Sequence, residues 1–378
     1  MKISILSIAL AGWVSLATDS KEIQFSRYFV AAESYETVGV VDINKDGRPD
    51  LVSGDFWYEN SADPKALFRK RYLIGNQKRF DQYYDDFSTI PLDVNGDGHA
   101  DIVTGGWFGE NLKWLENPGI GKKDLWAVHD IGKVGNVETT RAWDVDGDGV
   151  IEIVPNNPKH PLKYFKLEKG GTFRQVDVAP TQDHGLGLGD VNGDGRSDFI
   201  VSKGWLEAPA DREKGPWTLH PEFDLGKQAS VPILVVDVNG DKRNDLIVGQ
   251  AHGYGLHWYE QTLEGGKRGW KKHSIDEKAS QYHVLEWADL DGDKKPELIT
   301  GKRYRAHNDG DAGAYDDVGL YYFTWNGKEF IKHTIAYGQP GKGKGTGIYF
   351  ALADLRGTGR LDIVVAGKDG LEIFFNEK

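Results

Sequence analysis

The chain has 378 residues, with 46 Lys and Arg against 58 Asp and Glu, a formal charge of −12. An acidic chain with no basic run is poorly suited to a phosphate backbone, so nucleic acid is excluded as its partner. An apolar content of 39%, with 12% aromatics, excludes wholesale disorder. The absence of cysteine excludes thiol catalysis, disulfide frameworks, Cys-ligated zinc and lipoprotein anchoring. The 48 glycines have no period of three, which excludes collagen and suggests strands joined by tight turns.

In chain order, Met1-Lys2 and the apolar run Ile3 to Leu16 come first, with small Ser15 and Ala17 at its end. Residues 1–17 therefore read as a signal peptide. The mature chain, 18–378, is then one exported domain, periplasmic or secreted; a retained N-terminal anchor is the alternative. The run is shorter than a membrane span, and no later segment approaches 18 apolar residues.

Repeats follow in three registers. The clearest is an acidic loop, Asp42/Asn44/Asp46/Asp50, which recurs as Asp93/Asn95/Asp97/Asp101, Asp144/Asp146/Asp148/Glu152 and Asp190/Asn192/Asp194/Asp198. It recurs again as Asp237/Asn239/Asp241/Asp245 and Asp289/Asp291/Asp293/Glu297, and in degenerate form as Asp354/Arg356/Thr358/Asp362. Each loop leads into an apolar strand such as Leu246-Ile-Val248, then a further strand such as Gly255-Leu-His-Trp258. An aromatic-led strand ends each unit, starting at Phe25, Phe68, Trp126, Phe173, Trp217, Trp270 and Phe330. The Phe25 copy precedes every acidic loop, and the chain ends at Phe374-Phe375 without a closing strand of its own. The expected fold is all-β. It is a seven-bladed β-propeller of four antiparallel strands per blade, the last blade closed by the N-terminal strand. A β-solenoid would need shorter repeats and distinct caps.

Asp-x-Asp/Asn-x-Asp-Gly-x-x-Asp/Glu places oxygens at alternate positions of a tight turn, a donor set suited to structural Ca²⁺. The alternative is a turn held by Asx hydrogen bonds alone. In the seventh loop the Arg356 guanidinium is expected to stand in for the ion. These units resemble FG-GAP/VCBS-type repeats, the calcium-loop propeller repeats also found in integrin heads. The literal Phe-Gly…Gly-Ala-Pro string is absent, and Gly185-Leu-Gly187-Leu-Gly189-Asp190 comes nearest to it. The resemblance covers residues 21–378 and implies a fold, not a function.

The acidic loops end the inner strands at one face, so the opposite face should gather two columns. Six residues before each first aspartate stand Glu36, Phe87, Glu138, His184, Val231, His283 and Ile348. Fifteen after it stand Trp57, Phe108, Lys159, Trp205, His252, Tyr304 and Asp369. His129, His220, His273 and His333 share one outer-strand position and read as structural. His184, His252 and His283 come from three units and are the candidate ligands of one Zn²⁺ or Mn²⁺ with an open position. The alternative is a water-bonded channel lining. Trp57, Trp107 and Trp205 are candidate sugar-stacking platforms, with blade packing as the alternative, and Lys159 is a further candidate substrate contact. Arg303 and Arg305 suit a carboxylate, enolate or keto oxygen. Asn308 to Asp317 is a long insertion, expected either as a lid or as a solvated loop.

Four segments are similar to the propeller domain of the aldos-2-ulose dehydratase family: His184-Gly-Leu-Gly-Leu-Gly-Asp190, Gly204-Trp205-Leu-Glu-Ala-Pro209, Gly249 to Glu260 and Gly301 to Asn308. The resemblance implies elimination of water from a keto sugar such as 1,5-anhydrofructose, with a divalent metal in the propeller. It also implies that His307 or Tyr304 acts as base or acid, and that Arg303 or Arg305 steadies an enolate. The cupin domains of the fungal enzymes are absent here, so no later isomerisation step is implied. A polysaccharide lyase acting on uronates belongs to the same chemistry. The competing readings are a non-catalytic glycan-binding propeller and a protein-binding propeller.

Overall fold

The structure is a computed structural model that describes residues 22–119 and 125–377. The expected signal peptide lies outside the described residues. Seven four-stranded antiparallel sheets and one two-stranded hairpin, residues 79–84, make up the fold. In blades 1 to 6 the four strands follow chain order. The seventh sheet pairs Phe25–Ala31 with Gly370–Asn376, outside Asp362–Gly367 and Phe350–Ala353. The N-terminal strand thus closes the ring, as the aromatic register predicts, and no blade is left with an open seam.

The second strand of each blade explains the apolar runs. Asp245–Gly249 and Asp101–Gly105 are buried at every position, because a neighbouring blade covers each face. Outer strands alternate instead, as in Thr172–Ala179. Seven apolar clusters fill the seven seams between blades; Val38, Leu51, Val364 and Ile373 of one such seam join the first and last blades.

The four outer-strand histidines are structural. His129, His220 and His273 stack on Trp114, Trp205 and Trp258 at 4.3 to 4.4 Å, and each ring bonds a glutamate 2.7 Å away. His333 stacks on Tyr322 and meets Thr324 at 3.0 Å.

Each acidic loop is wound around its own first aspartate. Gly47 N donates to Asp42 Oδ2 at 2.8 Å and Asp46 N donates to Asp42 Oδ1 at 3.1 Å. Asp93, Asp144, Asp190, Asp237 and Asp289 accept from the backbone five residues on in the same way, at 2.8 to 3.0 Å. The ninth-position carboxylate ties the loop to the third strand: Asp50 accepts from Ile43 N and Asn60 N at 3.0 and 2.8 Å. Asp101, Asp198, Asp245 and Asp362 repeat this double bond.

The middle positions of these loops bond within the loop itself. Asn44, Asn95, Asn192 and Asn239 each spend Oδ1 on the backbone N of the residue two ahead, Asp46, Asp97, Asp194 and Asp241, at 3.0 Å. These are the Asx turns of the alternative reading. The fifth-position carboxylates also turn within the loop. Asp46, Asp194 and Asp241 pair with the guanidinium groups of Arg48, Arg196 and Arg243 two residues on. Asp97 accepts from His99 N at 2.8 Å, Asp293 from Lys295 N at 2.7 Å, and Asp148 from Val150 N at 2.8 Å. Among the described residues, carboxylate oxygens gather within 4.8 Å in the two loops that end in glutamate, at Asp144/Asp146/Glu152 and Asp289/Asp291/Glu297. Neither group includes its fifth-position residue, Asp148 or Asp293. Lys166 Nζ reaches into the first, contacting Asp146 and lying 3.5 Å from Glu152. In the seventh loop Arg356 lies 3.4 Å from Asp362 and 3.0 Å from Glu377.

Candidate metal centre

At the end of the channel opposite the acidic loops, four blades each send one donor to the axis. Glu138 immediately precedes the inner strand Thr139–Trp143, and His184 lies in the connection leading to Gly187–Gly189. His283 opens the inner strand Tyr282–Ala288, and His252 sits in the loop between Asp245–Gly249 and Tyr254–Glu264. All four are buried, and one ligand atom from each lies within 4.8 Å of the others.

The hydrogen bonds fix the tautomers. His184 Nδ1 lies 2.7 Å from the Ala229 carbonyl oxygen, which only accepts, so Nδ1 carries the proton and Nε2 presents a lone pair. His252 Nδ1 donates in the same way to Asp311 Oδ2 at 3.0 Å. The two Nε2 atoms then face each other at 3.1 Å. Two bare lone pairs at that distance repel, so the contact calls for a proton or a metal cation between them. Glu138 Oε1 is 3.0 Å from His283 Nε2 and 3.5 Å from His184 Nε2. A tetrahedral ion with donors at about 2.0–2.1 Å has donor–donor edges of about 3.3 Å. The observed 3.0, 3.1 and 3.5 Å bracket that value.

The electrostatics suit a cation. Burial, with Arg303 close by, holds the His283 imidazole well below its ordinary pKa, and burial also lowers His252. Neutral imidazoles are the metal-binding form. Burial would raise the Glu138 carboxyl, but its close contacts with the His184 and His283 rings outweigh it and hold the group well down, as the anion. His283 Nδ1 is buried without a hydrogen-bond partner among the described residues.

Arg303 is 1% exposed, with Nε 3.0 Å from Glu36 Oε1 and Nη1 3.4 Å from Glu138 Oε1. Its guanidinium serves both of these carboxylates. The residue expected at an enolate is thus engaged with two carboxylates of the protein itself. Lys368 Nζ is 3.7 Å from Glu36 Oε2, and burial pushes its pKa down to about 8. Further along the channel, two cavities of about 300 and 340 Å³ border Glu286 and Tyr349 and include none of the four donors.

The insertion of blade 6 folds back over the cluster. Its His307 ring stacks on His252 at 4.4 Å, and His307 Nδ1 lies 2.9 Å from Asp311 Oδ1. Its tip reaches across to the 79–84 hairpin, with His307 N donating to Tyr83 Oη at 2.5 Å and Asn308 Nδ2 to Asp81 Oδ2 at 2.8 Å. Arg305, His307, Asn308 and Asp309 all have positive φ, from 47° to 64°. Left-handed backbone costs roughly 1–2 kcal/mol per residue, so the tip contacts must hold a strained turn in place.

Of the other sequence candidates, Tyr304 is half-buried and bonded through its backbone to Thr346, and Arg305 is exposed and paired with Asp309 at 3.3 Å. Lys159 is exposed at a left-handed turn on the same face, and half-buried Trp107 accepts from Asn136 through its carbonyl. Trp205 and Trp57 do not reach the cluster. Trp205 is 1% exposed beneath Arg268 and His220, and Trp57 stacks on Tyr72 at 4.2 Å. Blades 1 and 4 make tight hairpins, pairing Ser53 with Phe56 and Val201 with Gly204, so the fifteenth position falls inside the third strand. Blades 2, 3, 5 and 6 have longer connections that leave it in the top loop. Trp57→Leu is expected to cost about 1 kcal/mol from the lost ring pair, read by chemical denaturation, with sugar binding unchanged by titration calorimetry.

Sequence reasoning missed Glu138 as a ligand, although it shares the column of His184 and His283, and missed Asp311, which carried no spacing signal.

Among solved structures, the chain is similar to BBS1N in its crystal structure with ARL6DN soaked with lead, at 11% identity and a TM-score of 0.51. It is equally similar to the same complex soaked with mercury, at 11% identity and a TM-score of 0.52. Each comparison covers 94% of this chain and 97% of the other, and shows the fold alone. No curated protein matches the sequence. The family profile described as FG-GAP-like repeat matches residues 42–104, 93–155, 144–201 and 237–300. These matches overlap to cover more than half of the sequence, and the chain belongs to the FG-GAP-like repeat family.

Proposed function

We propose that this propeller is a metal-dependent carbon–oxygen lyase that carries out β-elimination on a keto sugar or a uronate, exported by way of residues 1–17. The observation that carries the reading is the buried Glu138/His184/His252/His283 set, whose donor spacing and tautomers suit one Zn²⁺ or Mn²⁺. A bound divalent ion would polarise a carbonyl oxygen and acidify the neighbouring C–H. The lid supplies the base. The Nδ1–H of His307 is held by Asp311, which leaves its Nε2 lone pair to take the proton. As the C=C bond forms, the β-oxygen leaves with its electron pair and receives the proton back from the same imidazolium, departing as water from a keto sugar or as the free hydroxyl end of the cleaved chain from a polyuronate. His307 is 54% exposed, so substrate can meet it. Lys159 and Trp107 on the same face are left to contact the rest of the sugar.

The test is to incubate metal-loaded protein with 1,5-anhydrofructose and, separately, with uronate polymers, and to follow the ultraviolet absorbance of the conjugated product. A rise that a His307→Ala variant loses supports the lyase. No rise on either substrate class, with metal bound, counts against it.

The acidic loops are proposed to hold structural Ca²⁺. Asp289/Asp291/Glu297 is the best placed, since its carboxylates already converge while Lys166 occupies the Asp144 group. The four loops with asparagine would first have to turn their third and fifth side chains away from their present partners. Chelation is then expected to lower the melting temperature, and calcium at 100 times its Kd to restore about 2.7 kcal/mol per occupied site; calorimetry reads both. A protein-binding role is the second reading. It is favoured by the BBS1N structures, which are complexes with ARL6DN, and by the exposed ring pair Phe80 and Phe108, stacked at 4.5 Å.

A further inference from the structure

We infer that Asp311 is a positioning residue that couples closure of the lid to metal binding, an inference that rests on the metal centre proposed above. Asp311 is the only lid residue that bonds directly to one of the four donors among the contacts described. Its Oδ2 accepts from His252 Nδ1 at 3.0 Å and from Gln281 Nε2 at 3.3 Å, while Oδ1 accepts from His307 Nδ1 at 2.9 Å. Gln281 is held in turn by the buried Lys302, whose Nζ donates to Gln281 Oε1 at 2.7 Å. The carboxylate thus fixes both the tautomer and the ring direction of His252, as carboxylates do behind metal-bound histidines. What differs here is where it is carried. Asp311 stands on a strained turn latched at its tip to the 79–84 hairpin and, through Lys368 Nζ on the Arg305 carbonyl at 2.6 Å, to the last blade. Opening the lid withdraws the bond to His252 and leaves that ring free to turn its Nε2 away from His184. Closing it sets His252 and His307 together, one toward the ion and one toward the substrate. Coupling of this kind is reciprocal: if closure tightens metal binding, metal must hold the lid closed.

The experiment has two readouts, neither of them activity. Zn²⁺ affinity is measured by chelator competition for the wild-type protein, for Asp311→Asn and for Asp309→Asn, a lid variant that loses the ion pair with Arg305 and keeps the bonds of Asp311 to His252 and His307. Amide hydrogen exchange across 303–317 is followed with and without Zn²⁺. Asp311→Asn is expected to bind Zn²⁺ about 10- to 100-fold more weakly, with Asp309→Asn like wild type. Zn²⁺ is expected to slow exchange of the lid in wild type and far less in Asp311→Asn. Unchanged affinity in Asp311→Asn, or wild-type lid exchange indifferent to bound Zn²⁺, overturns the coupling and leaves the metal centre standing. Failure of wild type to bind Zn²⁺ overturns both. The wild-type exchange arm remains decisive if Asp311→Asn does not fold.

Discussion

Replacing His283 with Ala is expected to abolish tight binding of a transition metal while leaving the propeller folded. His283 is fully buried, its Nε2 lies 3.0 Å from Glu138, and its Nδ1 has no hydrogen-bond partner among the described residues. It does little for the fold that an apolar side chain could not do, so its value lies in the ligand set. Losing a partner behind the ligands costs about 10- to 100-fold in affinity, and losing a direct ligand should cost at least about 100-fold on that scale. Chelator competition reads the affinity, and circular dichroism with thermal melting reads the fold. A variant that binds metal as tightly as wild type would remove His283 from the centre and leave too few imidazoles to explain the geometry.

The second large effect falls on stability. Arg303→Met removes the one cation that touches both Glu36 and Glu138 among the described residues. These carboxylates are 5% and 4% exposed, and Lys368 remains near Glu36 alone. Breaking a buried pair from one side typically costs about 3–5 kcal/mol, because the partner keeps its charge without water. Denaturant unfolding in chelator should show a loss of that size. Added Zn²⁺ should recover part of it, since a divalent ion beside Glu138 supplies the missing positive charge. A loss below about 1 kcal/mol would mean that the two carboxylates are satisfied in some other way.

The fold was legible because it is written seven times. The acidic loops mark one end of every blade, the leading aromatics mark the outer strands, and the unpaired copies at Phe25 and Phe374 announce the closure. The loops were legible as turns, but their spacing does not say where each donor oxygen points. Arg48, Arg196 and Arg243 stand at unconstrained positions of the motif, and they take the carboxylates of Asp46, Asp194 and Asp241. The site was legible only where the backbone keeps register. The column six residues before the first aspartate lies at or just ahead of the start of the inner strands, which are nearly equivalent in all blades, and it delivers Glu138, His184 and His283 to one point. The second column crosses a connection whose length varies. It therefore delivers His252 from blade 5 but buries Trp205 of blade 4 within a seam. Arg303 stood in a segment rich in cationic groups, and its sequence could not say that both neighbouring carboxylates would face it from other blades. Asp311 lies in an insertion that only one blade has, so the repeat has nothing to say about it. Its role follows from the lid folding back on the axis.

On the reading proposed here, Glu138, His184, His252 and His283 hold one transition-metal ion. The most direct test is elemental mass spectrometry of the purified chain, prepared without a histidine tag and without added metal, then again after loading with Zn²⁺ or Mn²⁺ and desalting. Close to one equivalent of Zn²⁺ or Mn²⁺ per chain is expected, beside calcium, with its loss in His283→Ala. Calcium alone, even after loading, would contradict the metal centre and turn attention to the propeller as a binding surface.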